Sequence, residues 1–463
     1  MNSVKKSYDI VVLGAGPGGL AASLAAARNG AKVLLVDKNG YLGGNMTLGL
    51  PLLGYLDKDG RTVVRGIAQE FIDDLRAYKT PYGVAASSHL PCPMHNSVTL
   101  YDHEIFKFVA FRKVLDAGIE VLLHTELRSV NVDSRQLKSI ELAGKGWRIE
   151  VEAKVFIDAT GDGDMAYLAG ATYEKGQKGT GVLQPPTLMF NVRGVDIDRT
   201  IDFVAEDPEQ MAHCPETECG AGFDADFFRK NPNHVMVGLR KLFMQLKAEG
   251  KLPIDRDTLI YIKSLLPGEI HLNCTRHLGT DGSDVFSLTH AEIEGYLQIE
   301  KFVETLRQYV PGFENCYISN IYPSMGIRES RRFKGVRELT EEEVVRGDID
   351  EETIGLGSYI IDIHMGDGSG TIVKKIPPYG LPYGMTVSGE IEGLMFAGRC
   401  ASMDAVVMSS ARVMPILMAM GEGAGVGAAL AVKYGISPRD VDVQEIRAIL
   451  RASGALLEPV ETV

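Results

Sequence analysis

Three glycines near the start of the chain have the spacing of a loop that binds phosphates. Gly14, Gly16 and Gly19 follow the apolar run 9–13. The first permits a tight turn, the second lets backbone N–H groups approach a pyrophosphate, and the third lets a helix pack close to the strand. The N-terminus of that helix would hold phosphates through its free amides and partial positive charge.

An acidic residue completes the pattern. A second apolar run, 33–36, ends at Asp37, which lies 23 residues after Gly14. A carboxylate at this distance can accept hydrogen bonds from both hydroxyls of a ribose, and it argues against the 2′-phosphate of NADP. Two apolar runs with an Ala-rich segment between them predict a βαβ unit. The sequence therefore predicts a dinucleotide-binding domain.

Hydrophobic periodicity and turn residues predict the elements that position this loop. The predicted helices cover 64–77, 102–117 and 410–433, and the predicted core strands cover 9–13, 33–36, 119–123, 155–158 and 393–397. An antiparallel meander is predicted over 127–132, 137–142 and 147–155. The Pro/His/Ser-rich segment 78–100 is interpreted as a solvated lid loop, and His89, His95 and His103 around Cys92 are assigned to it rather than to a metal cluster.

The length of the chain and its net charge limit the functions that are expected. A chain of 463 residues is long enough for two or three domains. Its net charge of −13 argues against binding to nucleic acid or to an anionic membrane surface. The apolar stretch 413–432 contains Glu422 and Pro415, which favours a buried helix over a membrane span. Because the N-terminus lacks the pattern of a signal peptide, a cytoplasmic location is expected.

The six cysteines are scattered along the chain and do not indicate a disulfide scaffold. Cys214 and Cys219, beside His213, could suggest a metal or redox pair. No second matching pair accompanies them, so a loop with two free thiols is the preferred interpretation and no metal site is predicted.

The pattern changes between about 175 and 375, where short strands and helices are mixed, and the dinucleotide pattern then resumes. We therefore predict an α/β fold with a discontinuous Rossmann-like domain, made of a parallel sheet and a β-meander, and an inserted α+β substrate domain. The predicted bounds are 1–175 and 376–436 for the two parts of the first domain, 176–375 for the insertion and 437–463 for a C-terminal tail.

Separated segments of the chain resemble one family. The fingerprint 14–19, the strand and turn 156–164, and the C-terminal segments 396–399, 412–415 and 420–425 resemble FAD-dependent oxidoreductases of glutathione-reductase-like fold. The elements 326–332 and 361–364 resemble a branch of this family that is related to fumarate-reductase-type flavoproteins. The resemblance covers roughly 5–175 and 320–435.

This resemblance implies that the cofactor is FAD. We predict that the FAD is bound non-covalently, and covalent attachment through a histidine or cysteine stays open as the alternative. It places glycine turns against the pyrophosphate, Asp37 against the adenosine ribose, and the turn 410–413 against the flavin pyrimidine ring, whose negative charge the helix amides would favour. Arg399 departs from the wider pattern, which has an acid there, and an arginine can reach a phosphate instead. The implied cofactor-binding residues are Gly14, Ala15, Gly16, Pro17, Gly18, Asp37, Lys38, Gly43, Gly44, Thr47, Ala159, Thr160, Gly161, Gly398, Arg399, Arg412 and Val413.

Motifs that the sequence lacks argue against several routes of electron transfer. The disulfide reductases of this fold carry a cysteine pair just after the element that matches Gly43 and Gly44, and this sequence has no thiol there. No second glycine fingerprint follows a strand between 175 and 320, so a separate NAD(P)H domain is not predicted. The cysteine spacing also argues against iron–sulfur ligation. Electrons are therefore expected to pass directly between substrate and flavin.

Four residues are candidates for catalysis. His364 is the first choice for a base, since its pKa range suits proton transfer near neutrality; the alternative is a histidine that caps a strand or binds the cofactor. Arg328 and Arg331 could clamp a substrate carboxylate, or instead form an internal network with Glu329. Tyr383, with Tyr379 nearby, could line the pocket or simply pack beside prolines.

The predicted reaction is hydride transfer between a small organic substrate and FAD, with substrate oxidation as the favoured direction. One alternative is a fumarate-type reductase of an activated double bond that receives electrons from a separate donor. Another is a flavoprotein subunit that relays electrons inside a complex. The expected partner is a small-molecule substrate, together with an electron-acceptor or electron-donor protein or further copies of the chain.

Overall fold

The computed structural model describes residues 2–211, 224–231, 234–368 and 370–461. Within these ranges the chain folds into two units, each with its own hydrophobic core. The predicted thiol loop with His213, Cys214 and Cys219 lies outside the described residues.

Helices and strands follow one another along the whole described chain. The helices are α1 (Pro17–Arg28), α2 (Ile67–Ala77), α3 (His103–Asp116), α4 (Asp164–Leu168), α5 (Ile197–Glu206), α6 (Ala225–Lys230), α7 (Arg240–Ala248), α8 (Val285–Tyr309), α9 (Glu341–Arg346), α10 (Ala405–Ala411), α11 (Met414–Tyr434) and α12 (Val443–Ala452). The strands are β1 (Asn2–Ser7), β2 (Ile10–Leu13), β3 (Val33–Val36), β4 (Leu52–Leu53), β5 (Lys79–Thr80), β6 (Gly83–Val84), β7 (Leu90–Cys92), β8 (Asn96–Thr99), β9 (Glu120–Leu122), β10 (Glu126–Asp133), β11 (Gln136–Gly144), β12 (Trp147–Glu152), β13 (Val155–Asp158), β14 (Tyr173–Lys175), β15 (Phe190–Arg193), β16 (Val235–Gly238), β17 (Leu259–Lys263), β18 (Glu269–Leu272), β19 (Tyr317–Ile321), β20 (Arg331–Phe333), β21 (Thr353–Gly357), β22 (Ile361–His364), β23 (Thr371–Lys374), β24 (Tyr379–Pro382) and β25 (Leu394–Phe396).

A five-stranded parallel sheet forms the centre of the first unit, with strand order β25-β13-β2-β3-β9. Strands β2, β3 and β13 are buried along their whole length, as is typical of parallel strands covered on both faces. β25 comes from near the end of the chain and pairs with β13, where Phe396 lies opposite Asp158. The predicted fold class, with a sheet completed by a distant segment, is therefore confirmed.

The predicted meander is also present. β10, β11 and β12 pair antiparallel in sequence order. The N-terminal strand β1 adds to this sheet, parallel to β12. The sequence did not predict β1, because it is mostly exposed and has no apolar face.

A stripe of glycines lets α11 lie directly against the glycine-loop helix α1. A Cβ at Gly421 would lie 2.1 Å from the Gly18 carbonyl oxygen, and a Cβ at Gly425 would lie 2.2 Å from that of Ala22. Within the described residues, α11 is the one helix long and apolar enough to cross a membrane, and 89% of its most apolar window is buried inside the protein. It therefore serves as a core helix of this unit.

The prediction of one continuous helix from 410 to 433 is wrong. α10 ends at Ala411 and α11 begins at Met414, while the intervening Val413 is extended. Pro415 gives the physical reason, since it has no N–H to donate to the carbonyl of Ala411 and its ring would clash with that carbonyl in a continuous helix.

The prediction of a solvated lid over 78–100 is wrong as well. The segment contains four short strands, of which β7 and β8 form a three-stranded sheet with β4. β8 is buried along its whole length, and His103 beyond it is only 7% exposed. Buried hydroxyls explain the polar composition, because Ser97 accepts a hydrogen bond from the backbone N–H of Leu56.

The inserted unit is built on a five-stranded antiparallel sheet with strand order β16-β17-β18-β15-β19. The long helix α8 packs on it through Ile299, Phe302 and Leu306, which are fully buried. The hydrophobic residues of this second core come from 188–325, with four more from 48–100.

Packing divides the chain somewhat differently from the predicted domain bounds. Hydrophobic residues between 333 and 376 belong to the first core, including Ile361 at the start of β22. The predicted C-terminal tail contains α12, whose Ile446 and Leu450 are fully buried in that same core. The β22–β23 hairpin therefore extends from the first unit toward the inserted one.

Candidate active site

The glycine loop is fixed by contacts of backbone with backbone. A Cβ at Gly14 would lie 2.3 Å from the Ala159 carbonyl oxygen, and one at Gly18 would lie 2.2 Å from that of Ala397. Gly14 also has a φ of +101°, which L side chains rarely adopt. A Cβ at Gly16, in contrast, would meet nothing within 4 Å. Gly16 therefore faces open space while its neighbours are packed.

Asp37 braces this loop. Its Oδ2 accepts a hydrogen bond from the backbone N–H of Ala15 at 2.7 Å, and its Oδ1 accepts one from Asn39 at 2.8 Å. A carboxylate oxygen has more than one acceptor site, so both oxygens can accept further hydrogen bonds. The sequence predicted a contact with ribose, whereas the bracing of the loop is an additional finding.

A first cavity of about 610 Å³ lies over the glycine loop. Most of the predicted cofactor-binding residues line it: Gly14, Gly16, Pro17, Gly18, Asp37, Lys38, Gly44, Ala159, Thr160, Gly161, Gly398, Arg399 and Arg412.

Four predicted residues lie elsewhere. Ala15, Gly43 and Thr47 stand behind the cavity wall, where Gly43 N–H donates to the Ala15 carbonyl at 2.8 Å and the Thr47 hydroxyl donates to the Gly44 carbonyl at 2.8 Å. These three shape the backbone of the wall. Val413 lines a second cavity instead.

The turn after β13 is held by a buried acid that the sequence analysis did not single out. Asp158 accepts hydrogen bonds from the backbone N–H and hydroxyl of Thr160 and from the backbone N–H of Ala166. Burial raises the pKa of Asp158 to about 6. These bonds hold Thr160 and Gly161 at the cavity wall.

The arginines around the first cavity are matched by carboxylates. Arg399 Nη2 lies 3.0 Å from Asp162 Oδ1, and Arg331 Nη2 lies 2.5 Å from Asp164 Oδ1. The Arg331 guanidinium also stacks on Tyr167, 4.4 Å from the ring centroid. The structure thus places Arg331, predicted as a substrate clamp, at the first cavity.

A second cavity of about 680 Å³ lies between the two units. Residues of both units line it, and it adjoins the first cavity. The walls of the two cavities share Asn45, Ile327, Arg399, Arg412 and Met414.

His364 and Asp362, both on β22, face this second cavity. His364 Nε2 lies 3.5 Å from Asp362 Oδ2, and its Nδ1 lies 3.3 Å from the Thr371 hydroxyl. Burial, opposed by Asp362 and aided by the charges of Arg328 and Arg256, lowers the pKa of His364 to about 3. The imidazole is therefore neutral at neutral pH, and its pKa lies below the near-neutral range expected from the sequence. Burial alone would raise the pKa of Asp362, but its contacts with His364 and Arg412 hold it well below its usual value.

Arg328 also lines the second cavity. Its Nη1 donates to the Pro185 carbonyl at 2.6 Å and to the Thr187 hydroxyl at 2.7 Å. The Arg–Glu network considered for this segment exists, but Glu329 pairs with Arg332, at 2.7 Å, and not with Arg328. The guanidinium of Arg328 therefore remains without a carboxylate among the residues that the structure describes.

The two candidate tyrosines lie outside both cavity walls. The Tyr383 hydroxyl donates to the Pro438 carbonyl at 2.8 Å, and the ring packs against Gly427 of α11. The Tyr379 hydroxyl and the Ser410 hydroxyl are 2.8 Å apart. The structure thus places both rings in the core of the first unit.

Three arginines of the second cavity were missed by the sequence analysis. Arg240, Arg256 and Arg276 line this cavity from the inserted unit, at the start of α7, before β17 and after β18. No motif connects them, because only the antiparallel pairing of the sheet brings these positions together. In the described ranges, no group of three or more His, Cys, Asp or Glu residues could hold a metal ion.

Comparison with known proteins settles the family. A sequence model described as "FAD dependent oxidoreductase" matches residues 9–450, nearly the whole chain. The chain belongs to this family. The protein is therefore an enzyme, an oxidoreductase whose cofactor is FAD.

Two curated relatives match in part. Thiamine thiazole synthase of Aeropyrum pernix is 32% identical over 143 residues, which is 30% of this chain and 46% of that protein. Digeranylgeranylglycerophospholipid reductase of Methanosphaerula palustris is 27% identical over 168 residues, or 34% of this chain and 39% of the relative. The matched segments span less than half of either relative.

Solved structures match over more of the chain at low identity. A geranylgeranyl bacteriochlorophyll reductase-like protein from Thermoplasma acidophilum is 13% identical, with a TM-score of 0.46, and the match covers 97% of this chain and 84% of that one. L-proline dehydrogenase from P. horikoshii is 10% identical, with a TM-score of 0.44, and covers 98% and 100% of the two chains.

Proposed function

We propose that the oxidoreductase oxidises a small organic substrate in the second cavity by hydride transfer to FAD. The shared wall of the two cavities is the observation that carries this proposal. The two cavity walls share Asn45, Arg399 and Arg412. FAD bound along the glycine loop would be held by these residues at the end of the first cavity that adjoins the second. A substrate beside His364 would then lie next to the cofactor.

The residues of the first cavity fit FAD. The open space at Gly16 lets a pyrophosphate approach the backbone amides at the start of α1, and Asp37 has acceptor sites left for the ribose. Arg399 and Arg412 each bury an Nη1 atom that has no partner within the described part of the chain. A buried unpaired donor is costly, and a polar cofactor group at the shared wall would satisfy both.

Oxidation of a C–H beside an O–H or N–H removes a hydride from carbon and a proton from the heteroatom. FAD, when bound, accepts the hydride with its electron pair. His364 accepts the proton at Nδ1, once the substrate hydroxyl or amine replaces the Thr371 hydroxyl. The carboxylate of Asp362 then stabilises the imidazolium. The product is the corresponding carbonyl or imine.

An anaerobic reaction of the FAD-loaded protein with candidate substrates tests this proposal. We expect the visible flavin band to bleach with one class of alcohols or amines. His364→Ala should bind FAD normally and bleach at least about a hundredfold more slowly. A variant that bleaches at the wild-type rate would remove His364 from the mechanism.

The reverse direction is the second candidate, because several relatives bear the name reductase. The same anaerobic measurement of the flavin band distinguishes substrate oxidation from substrate reduction. Bleaching by alcohols or amines supports oxidation, whereas reoxidation of the chemically reduced enzyme by enoates, with no bleaching by alcohols or amines, supports a reductase. A protein that does neither alone, and that is purified in a stable complex, would be an electron-transfer subunit.

We further propose a cytoplasmic enzyme whose partner is a small molecule. The acidic net charge of −13 disfavours nucleic acid and anionic membranes. Cys274, Cys316 and Cys400 are buried free thiols, as is usual in a reducing compartment. Localisation of a tagged chain in its host checks this assignment.

A further inference from the structure

We propose that Arg256, Arg276 and Arg328 form a binding site for a small organic polyanion, and that the substrate therefore carries at least two anionic groups. The inference rests on the proposed function only in identifying this anion with the substrate. The site itself follows from the charges and hydrogen bonds of the second cavity.

The wall of the second cavity carries an excess of positive charge. Two carboxylates and six guanidiniums line it: Asp257, Asp362, Arg240, Arg256, Arg276, Arg328, Arg399 and Arg412. Both carboxylates are engaged, since Asp257 pairs with Arg240 at 3.7 Å and Asp362 contacts Arg412 at 3.6 Å. The other arginines must find their counter-charge elsewhere.

Three of these guanidiniums have only uncharged partners. Arg256 donates to the carbonyls of Asn273 and Cys274, each at 3.2 Å. Arg276 Nη2 donates to the carbonyls of Met365 at 2.7 Å and Gly370 at 3.1 Å.

The third, Arg328, donates to the Pro185 carbonyl and the Thr187 hydroxyl. The Nε of Arg276 is buried with no partner in the parts of the chain that are described. Carbonyl dipoles orient these groups but do not neutralise their charge.

Two of the three arginines are buried, Arg328 is half-buried, and all three are close enough to repel one another. Arg256 is 5% exposed and Arg276 is 8% exposed. Burial lowers the pKa of Arg328, and the charges of Arg412, Arg256 and Arg276 lower it further. Buried charges in proteins are normally paired, because an unpaired one costs several kcal/mol. A bound anion would supply the missing partners.

Two other buried arginines are each matched by a carboxylate. Arg331 and Arg332, on β20, are as well buried, and each has a carboxylate partner at 2.5–2.7 Å. The chain as a whole has a net charge of −13. The second cavity therefore concentrates positive charge against the overall sign of the molecule.

Two considerations assign the ligand class. The three arginines line the second cavity only, so the phosphates of a dinucleotide in the first cavity do not explain them. One carboxylate would neutralise only one of three guanidiniums, whereas two or three anionic groups would balance them. Guanidinium forks bind carboxylate and phosphate alike, so the shared chemistry is that of a polycarboxylate or an organic phosphate.

Calorimetric titration of the FAD-loaded protein tests the proposal without any turnover. Tricarballylate, succinate and pyrophosphate serve as anionic probes, and succinamide serves as the matched neutral probe. We expect the tightest anion to bind at least about a hundredfold more tightly than succinamide. Preference for tricarballylate identifies a carboxylate ligand, and preference for pyrophosphate identifies a phosphate ligand.

Substitutions locate the site. Arg256→Gln and Arg276→Gln should each weaken the preferred anion by tenfold or more. Arg199→Gln is the control, since Arg199 lies on the surface of the inserted unit in an exposed pair with Glu314, and it should change the affinity less than twofold. If a variant does not fold, its Arg→Lys counterpart, which keeps the charge but loses the fork, takes its place.

Equal affinity for succinamide and the anions would overturn the proposal, and so would wild-type affinity in both Arg256→Gln and Arg276→Gln. The titration is independent of the reaction. Anion binding without flavin bleaching would leave this site standing and reject the proposed oxidation. Bleaching by neutral substrates without anion binding would support the proposed oxidation and reject this anion site.

Discussion

The two cavities solve the problem of binding a polar ligand in different ways. The first is walled by backbone, where Gly14 and Gly18 lie too close to the carbonyls of Ala159 and Ala397 for side chains, and its arginines are matched by carboxylates. The second is walled by side chains from both units, and three of its six arginines (Arg256, Arg276 and Arg328) have only uncharged partners among the described residues. The protein's own carboxylates balance the arginines of the first cavity, whereas the second cavity requires a charged ligand to balance its arginines.

The largest expected effect tests the backbone construction of the first cavity. In Gly18→Ala the new Cβ would lie 2.2 Å from the Ala397 carbonyl oxygen, so β25 and α1 must separate. We expect a loss of at least about 4 kcal/mol in the free energy of unfolding and no retained FAD. Urea unfolding measures the loss of stability, and the visible flavin band measures the retained FAD.

Gly16→Ala is the matched control. Its Cβ would meet nothing within 4 Å, so the stability of the protein without FAD should stay within about 0.5 kcal/mol of wild type. FAD affinity should fall about tenfold, because the methyl group occupies the space of the pyrophosphate. A Gly16→Ala protein that binds FAD normally would contradict the placement of the cofactor.

This difference in construction also explains what could be predicted from the sequence. A cavity made of backbone needs glycines at fixed spacings, so the motifs at 14–19, 156–164 and 396–399 are visible in the sequence and the βαβ unit and fold class followed from them. Arg256 and Arg276 belong to no motif, because a guanidinium can reach a cavity from any strand end. Only the pairing of β17 with β18 brings the two together.

Other misses have equally local causes. β1 is a polar strand whose partner, β12, lies some 145 residues away, so no pattern within it signals a sheet. Arg328 and Arg331 are three residues apart and looked equivalent in sequence. The chain turns between them, so that Arg328 faces the second cavity and Arg331, on β20, faces the first.

The first unit also buries a titratable acid, Glu422 of α11. This carboxyl is 2% exposed and accepts hydrogen bonds from the Ile67 N–H and the Ser453 hydroxyl. Burial raises the pKa of Glu422 to about 7, above its value of 4.5 in an unfolded chain. The folded protein therefore holds this proton more tightly, and stability falls as pH rises between about 4.5 and 7.

Glu422→Gln should remove this part of the pH dependence. At pH 8 the variant should exceed the wild type by up to about 3 kcal/mol in unfolding free energy, and below pH 4.5 the two should be similar. Urea unfolding of the FAD-loaded proteins across this range measures the difference. Parallel curves at all pH values would show that Glu422 does not titrate in this range.

The next prediction compares two arginines, each of which lines only one of the two cavities. Arg331→Met should weaken FAD about tenfold and leave anion binding unchanged, since Arg331 lines only the first cavity. Arg328→Met should weaken the anion and leave FAD affinity unchanged. Fluorescence titration with FAD and calorimetry with tricarballylate give the two affinities. An Arg331→Met variant that loses anion binding would erase the distinction between the cavities.

The smallest effect is a change in the pKa of His364. Burial is the largest cause that lowers this pKa. The charges of Arg328 and Arg256 lower it as well, whereas Asp362 raises it. An anion that neutralises the two arginines should therefore raise the pKa of His364, by about one unit. NMR titration of the imidazole with and without tricarballylate measures the shift. A fall in this pKa on binding would contradict the placement of the anion.

The central claim is that the second cavity presents a small anionic substrate to FAD held in the first. Rapid anaerobic mixing of the FAD-loaded protein with a dianionic hydroxy or amino acid, and with its neutral diamide, tests it most directly. The account predicts that the flavin band bleaches with the dianion and that the diamide is at least about a hundredfold slower. Equal bleaching by the two compounds would contradict it.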